Sequence, residues 1–269
     1  KLDAKLFHPI TIRRLFSSEQ ERVSWLEKQI LPEFDKYLNP ITDDDEGYDG
    51  ANNPFGSGRV KNAFWIDSEK FYQSNLAFFE KNGILLKESF SLKDFDPKEG
   101  VYKGQKYDFV VFCCGYQNKE LPFFAELPIQ QTKGQTLTIS SSQIPENESL
   151  NRKCFVLPIG NQTFRVGATY EWNNDSLLKT EEGKETLLSN LNVLDDFNPI
   201  ILSQHAGIRP TVLDRRPVLG QHPEFSKLFI FNGLGTKGYM MAPTLSREFA
   251  SYLIEETAIS KEISSERFL

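Results

Sequence analysis

Three glycines raise the first question of chemistry. In KLFIFNGLGTKGYMMAPTLSREFASYLIEE, residues 227–256, Gly233, Gly235 and Gly238 have the spacing G-x-G-x-x-G. Glycines at that spacing let backbone amides close on a pyrophosphate at a helix N-terminus. The run 228–231 before them is short and apolar and reads as a buried strand. After them Met241, Leu245, Phe249 and Leu253 recur at helical spacing, with Pro243 suited to a first turn. A dinucleotide fingerprint also needs a second parallel strand ending in an acidic residue about 20 residues on. Glu255 and Glu256 fall at that distance but inside the last helical turn, and TAISKEISSERFL offers no buried strand. The pattern therefore predicts strand, tight turn and helix, and points away from a nicotinamide dinucleotide.

Other reactive residue types form no recognisable set. His8, His205 and His222 are scattered, and no Ser/His/Asp or Cys/His signature accompanies them, so hydrolysis is not supported. Cys113, Cys114 and Cys154 have neither metal-ligand spacing nor the numbers of a disulfide framework, and read as buried structural thiols. Asp43, Asp44, Asp45, Glu46 and Asp49 miss the calcium-loop spacing and read as a solvated acidic loop, so no metal is expected.

The 269 residues suffice for one large domain or two small ones, and a net charge of -6 argues against a nucleic-acid-coating surface. No apolar stretch approaches the roughly 18 residues that span a bilayer, and the chain reads as cytosolic. SSEQERVSWLEKQILPEFDKYL predicts a helix capped by Ser17 or Ser18, with Val23, Leu26 and Ile30 on one stripe. A second helix is expected from about Ser68 to Asn82, burying Phe71, Phe78 and Phe79, with a strand starting at Ile84 and Leu86. YDFVVFCCG, residues 107–115, reads as a central parallel strand covered on both faces. TKGQTLTIS and CFVLPIGNQTFRVGATYEW read as antiparallel strands with a turn at Gly160-Asn161, and a helix is expected at about Thr180 to Leu194. A parallel sheet ordinarily begins with a βαβ unit of about 30 residues, whereas this chain opens on a loop-like stretch and a helix.

Four segments in order resemble the D-amino-acid oxidase superfamily of flavoenzymes: YDFVVFCCG, FVLPIGNQTFRVGATYEW, AGIRPTVLDRRPVLGQHPE and LFIFNGLGTKGYMMAPTLSREFASYLI. FHPITIRRLFSSEQERVSWL is similar to the superfamily's region just after its first nucleotide-binding unit. The resemblance implies a mixed α/β fold: an incomplete FAD-binding, Rossmann-like layer (66–120 and 207–269) and a mainly antiparallel β-sheet substrate domain (1–65 and 121–206). It also implies a chain without the family's first dinucleotide-binding segment.

The same resemblance implies site residues. Gly233, Leu234, Gly235, Thr236, Lys237, Gly238, Tyr239 and Met240 would form the loop over the flavin ring, with Cys114 and Gly115 near the cofactor through their backbone. Arg209 would pair with a substrate carboxylate, a planar anion that a guanidinium fork suits; a structural ion pair with Asp214 is the alternative. Tyr170 and Phe155 would face substrate. Glycine-oxidising members carry a second arginine where this chain has Thr236, so a second carboxylate clamp is not implied there. The loop GLGTKG is closer to members acting on a tRNA wobble uridine, which implies a secondary amine on something larger than glycine. The implied activity is FAD-dependent oxidation of an amine or amino acid, a tRNA-linked amine included. The competing expectation is a truncated, inactive member that does not hold FAD by itself.

Overall fold

The computed structural model describes residues 6–268, and among them the chain divides into two units. The first takes the chain up to Leu86 together with Gln135–Thr169 and Leu178–Ala206; the second takes Lys87–Gly134, Tyr170–Leu177 and everything from Gly207 onward. The architecture is the expected mixed α/β one, with a large mixed sheet and smaller antiparallel pieces.

In the first unit the strand Thr163–Gly167 lies between Cys154–Gly160 and the 136–140 stretch of Ile129–Ser140, antiparallel to both. Glu148–Arg152 comes next, antiparallel, then Phe7–Leu15 parallel to it, then Ser57–Ile66 antiparallel at the far side. Alternation places Leu137, Ile139, Leu150, Val156, Phe164 and Val166 on one face. The helix Glu181–Asn192 covers that face with Leu187 and Leu191, both fully buried. Full burial of one such leucine contributes about 2 kcal/mol. Thr180 caps the helix, its Oγ1 accepting from Gly183 N at 3.1 Å. A Cβ on Gly183 would collide with the Gln135 side chain, whose Nε2 donates to Thr180 Oγ1 at 2.9 Å.

The opening stretch is thus a strand and not a loop. The helix expected at 17–38 starts where expected, with Ser18 accepting from Glu21 N at 3.2 Å, but ends at Gln29 and buries nothing. The acidic segment is corrected too: Asp43–Glu46 is a short helix, and Asp45 is completely buried. Arg13 and Arg59 reach it with ion pairs of 3.0 and 2.7 Å, which is why a carboxylate tolerates the interior. The helix Ser68–Lys81 forms as expected, yet no residue of it is buried; Phe78 and Phe79 are exposed and Phe71 half-buried. Ile84 and Leu86 are exposed and form no strand; the Ile84 amide instead donates to Phe79 O at 3.1 Å, closing the end of the preceding helix.

In the second unit Leu228–Asn232 is flanked by antiparallel Val218–Gln221 and parallel Val110–Phe112. Its alternation serves two cores. Leu228 and Ile230 join Phe112, Phe124 and Ile129 on one side; Phe229 meets Leu245 and Phe249 of the helix Gly238–Glu255 on the other. The strand expected at 107–115 is therefore shorter, Val110–Phe112, and stands at the edge of its three-stranded sheet, not at the centre. Of the cysteines only Cys154 is buried; Cys114 is half-buried and Cys113 exposed. Pro243 sits in the second turn of its helix, not the first, where the helix forgoes the bond that residue would donate.

Candidate active site

The strand Leu228–Asn232 ends at a side chain that shapes the glycine loop. Asn232 is buried; its Oδ1 accepts from Gly233 N at 2.8 Å and its Nδ2 donates to Gly115 O at 2.9 Å. One amide thus ties the loop to the end of the neighbouring parallel strand. Gly233 turns at φ 74°, and a Cβ there would lie 2.8 Å from Val212 Cγ2, so only glycine meets both demands. The chain then makes the 3-10 turn Gly235–Lys237 and enters the helix at Gly238. No side chain caps that helix and no acidic residue lies in its first turn. Its first amides and positive dipole end thus lack an internal anion.

Gly233, Leu234, Gly235, Thr236 and Lys237 line a cavity of about 240 Å³, together with Tyr170, Thr211, Arg215 and Met241. All belong to the second unit. Thr211 is only 3% exposed, and its hydroxyl finds no hydrogen-bond partner among the described residues. An orphaned buried hydroxyl is costly unless a ligand meets it.

Arg209 stands next to this wall. Its guanidinium carbon lies 5.5 Å from the Tyr170 ring centroid, and a Cβ on Gly134 would collide with Cζ and both terminal nitrogens. The guanidinium therefore rests on bare backbone with an aromatic ring close by. Burial lowers the Arg209 pKa from its ordinary value, with Tyr170 opposing, and the group remains a cation. Short pairing of Glu171–Trp172 with Thr132 and Lys133 fixes Tyr170 beside Gly134, and Tyr170 packs edge-on to Trp172 at 5.3 Å. Asp214 pairs with Arg267 at 3.0 Å.

Gly115, at φ 55°, lines a second, more apolar cavity of about 520 Å³ with Val111, Phe231, Asn232, Leu234 and Phe249. Cys114 precedes it, and burial followed by Glu120 raises its thiol pKa. Gly238 opens the helix, while Tyr239 and Met240 are exposed and line neither cavity. Phe155 belongs to the first unit, packed beside Gly167. His205 is there too, with Ser203 Oγ 3.0 Å from its Nε2; burial, then Arg165 and Lys179, lower its pKa. Among the described residues no group of three or more His, Cys, Asp or Glu is placed to hold a metal.

Sequence reasoning did not single out Thr211, Arg215 or Gly134. The only local signals were the polar residues of RPTVLDRRP and the lone glycine in TKGQT. The residues present fit the ring end of a flavin. Glycines with positive φ permit a flat ring to approach, the uncapped helix end accepts negative charge, and the Thr211 hydroxyl lacks a partner.

The sequence pattern of the family described as DAO, FAD dependent oxidoreductase, matches residues 8–252. The bifunctional protein MnmC of tRNA 5-methylaminomethyl-2-thiouridine biosynthesis from Actinobacillus pleuropneumoniae serotype 5b (strain L20) is 24% identical over 262 residues, 80% of this chain and 38% of that protein. Glycine oxidase of Bacillus subtilis (strain 168) is 26% identical over 159 residues, 54% of this chain and 40% of that protein. The chain thus aligns with about two-fifths of either relative, 38% and 40%. The fold is shared with glycine oxidase from Geobacillus kaustophilus, at a TM-score of 0.76 and 17% identity, covering 94% of this chain and 73% of that one. With the family pattern matched from residue 8 to residue 252, the chain belongs to the DAO family of FAD-dependent oxidoreductases.

Proposed function

We propose that this chain is the substrate-binding and ring-binding part of an FAD-dependent oxidoreductase that oxidises a carboxylated amine. The observation that carries the reading is the double role of Tyr170: its ring lies beside the Arg209 guanidinium and also walls the cavity of the glycine loop. A substrate anchored at Arg209 would reach towards that loop. Bound FAD would supply the two-electron acceptor for the hydride leaving the amine's α-carbon.

The chain's own residues would orient and polarise. Arg209 would hold the carboxylate in a two-pronged, charge-assisted contact, its plane fixed by Gly134 and Tyr170. The positive end of the Gly238–Glu255 helix would stabilise negative charge that develops beside it. Tyr170 is the proposed wall, and no side-chain base is needed where the amine enters unprotonated. The imine product would then hydrolyse in water. The name of the MnmC relatives favours a larger, tRNA-linked secondary amine over glycine.

The test uses the full-length protein. Its visible absorption is recorded before and after FAD is added, and flavin bleaching is followed with a panel of amines. Arg209→Ala is expected to raise KM for carboxylated amines and leave flavin absorption in place. An unchanged KM removes Arg209 from the site, and a protein that never takes up flavin overturns the reading.

A further inference from the structure

Tyr170 is held in place by little backbone. The strand that follows it contributes two residues, Glu171 and Trp172, paired antiparallel with Lys133 and Thr132. The Asn174 amide, donating to Gln131 O at 3.2 Å, extends the pairing by one bond. So short a ladder is marginal by itself, and a slip of one residue would turn Tyr170 to the opposite face. Alternation puts Tyr170, Trp172, Thr132 and Gly134 on the face shared with Arg209, and Lys133 and Glu171 on the rear. On the front face Thr132 is completely buried and its hydroxyl finds no partner among the described residues, so it ties nothing across the ladder. On the rear face Lys133 stands directly opposite Glu171, its Nζ 4.0 Å from Oε2. Lys133 is 1% exposed, whereas the Glu171 side chain keeps contact with water and accepts from Asn174 Nδ2 at 2.9 Å. All of these residues belong to the second unit.

A buried ammonium is costly, and an apolar side chain of similar length would fill the same space without that cost. What the charge adds is register: opposite charges on facing strands favour one alignment over its neighbours. From this we infer that Lys133 is a positioning residue for substrate: paired with Glu171 behind the sheet, it locks the register that presents Tyr170 to Arg209, and so keeps the guanidinium in the plane that takes a carboxylate. The inference rests on the proposed role of Arg209. Lys133 lies on the face away from that guanidinium and would touch no substrate itself.

Calorimetric titration of the FAD-loaded full-length protein with acetate, a carboxylate probe, tests this beside steady-state kinetics. Lys133→Met removes the charge, roughly keeps the length and leaves Glu171 in contact with water. It is expected to weaken acetate about fivefold and to raise KM for carboxylated amines by the same factor, the upper range for one cross-strand charge pair, with kcat changed less than about twofold. Lys133→Arg keeps the charge and should stay within about twofold of the parent protein. Glu171→Gln breaks the same pair from its exposed side and should weaken acetate about threefold, which keeps the test decisive if Lys133→Met does not fold. Because Lys133 acts through Tyr170, adding Lys133→Met to Tyr170→Ala should change acetate affinity less than about twofold beyond Tyr170→Ala alone. Full additivity of the two, or a fall in kcat and melting temperature with acetate affinity unchanged, makes Lys133 a structural residue and overturns the inference. If Arg209→Gln weakens acetate while neither Lys133→Met nor Glu171→Gln does, the inference falls and the reading of Arg209 stands. If Arg209→Gln leaves acetate binding unchanged, that reading fails and the inference fails with it.

Discussion

In the first unit Arg13 commits its guanidinium to Glu148 at 2.7 Å, Asp45 at 3.0 Å and Ser57 at 2.9 Å, and almost none of it meets solvent. In the second unit Arg209 lies against a ring and bare backbone, and Arg215 and Lys237 face open space. The same residue types thus do opposite work. Where charges are saturated internally they hold distant segments together: Asp45 and Glu148 meet through Arg13 although neither is its neighbour in sequence. Arg215 and Lys237, by contrast, stand exposed on the wall of a cavity and tie no segments together.

The contrast breaks most visibly at Asp45. Asp45→Ala takes from Arg59 its carboxylate partner and leaves Arg13 with Glu148 as its only carboxylate, and is expected to cost about 3 kcal/mol, read by urea denaturation. The same carboxylate sets an acid limit. Burial pushes its pKa up, but the Thr42 amide and hydroxyl and then Arg59 overcome this and hold it below the usual carboxylate range. Because the folded value is the lower one, the stabilisation is complete above the unfolded value of about 3.9 and drains away as pH falls through the folded value. Denaturation midpoints measured from pH 6 downwards should show that loss, and Asp45→Asn should flatten it.

Arg209→Ala should do the reverse, raising KM for carboxylated amines about 100-fold while shifting the denaturation midpoint little, since a two-pronged charged contact is worth about 2–3 kcal/mol. A large stability loss with unchanged KM would place Arg209 with Arg13 as a structural cation. Gly134→Ala sharpens the point without touching charge. The added methyl displaces the guanidinium, so KM should rise about tenfold with kcat less affected, as expected when the loss is in ground-state anchoring. The smallest effect is expected at Thr211→Val, because a hydroxyl without a partner contributes no hydrogen bond to folding. Stability should change by less than about 1 kcal/mol in either direction, whereas FAD binding, read by titration of the flavin absorption, should weaken.

How legible each unit was depends on the range of its interactions. Leu228–Asn232, the glycine turn and the helix Gly238–Glu255 were readable because each is specified by its own pattern: a short apolar run, closely spaced glycines and a helical repeat. The hairpin Cys154–Gly160 and Thr163–Gly167 was readable for the same reason, its turn announced by Gly160-Asn161. Phe7–Leu15 was not, because the inward position of its end is an arginine whose justification, Glu148, lies 135 residues away. Asp45 failed similarly: a carboxylate in a run of carboxylates looks solvated unless two distant arginines are known to reach it. In the site, Arg215 was not singled out, because it shares the cavity with the glycine loop only through the fold. Phe78 and Phe79 lie on a helical stripe, but a stripe says only that one face is apolar, and among the described residues nothing covers it.

The edge position of Val110–Phe112 has a consequence for handling. It meets a hydrogen-bonded neighbour on one side only among the described residues, next to exposed Phe109 and the 520 Å³ apolar hollow. Parallel strands are ordinarily enclosed, and a bare edge of this kind is a template for any extended chain that drifts past. Concentrated solutions of these residues by themselves should therefore gel or sediment by strand recruitment, and a single lysine in place of Val110 should keep them clear.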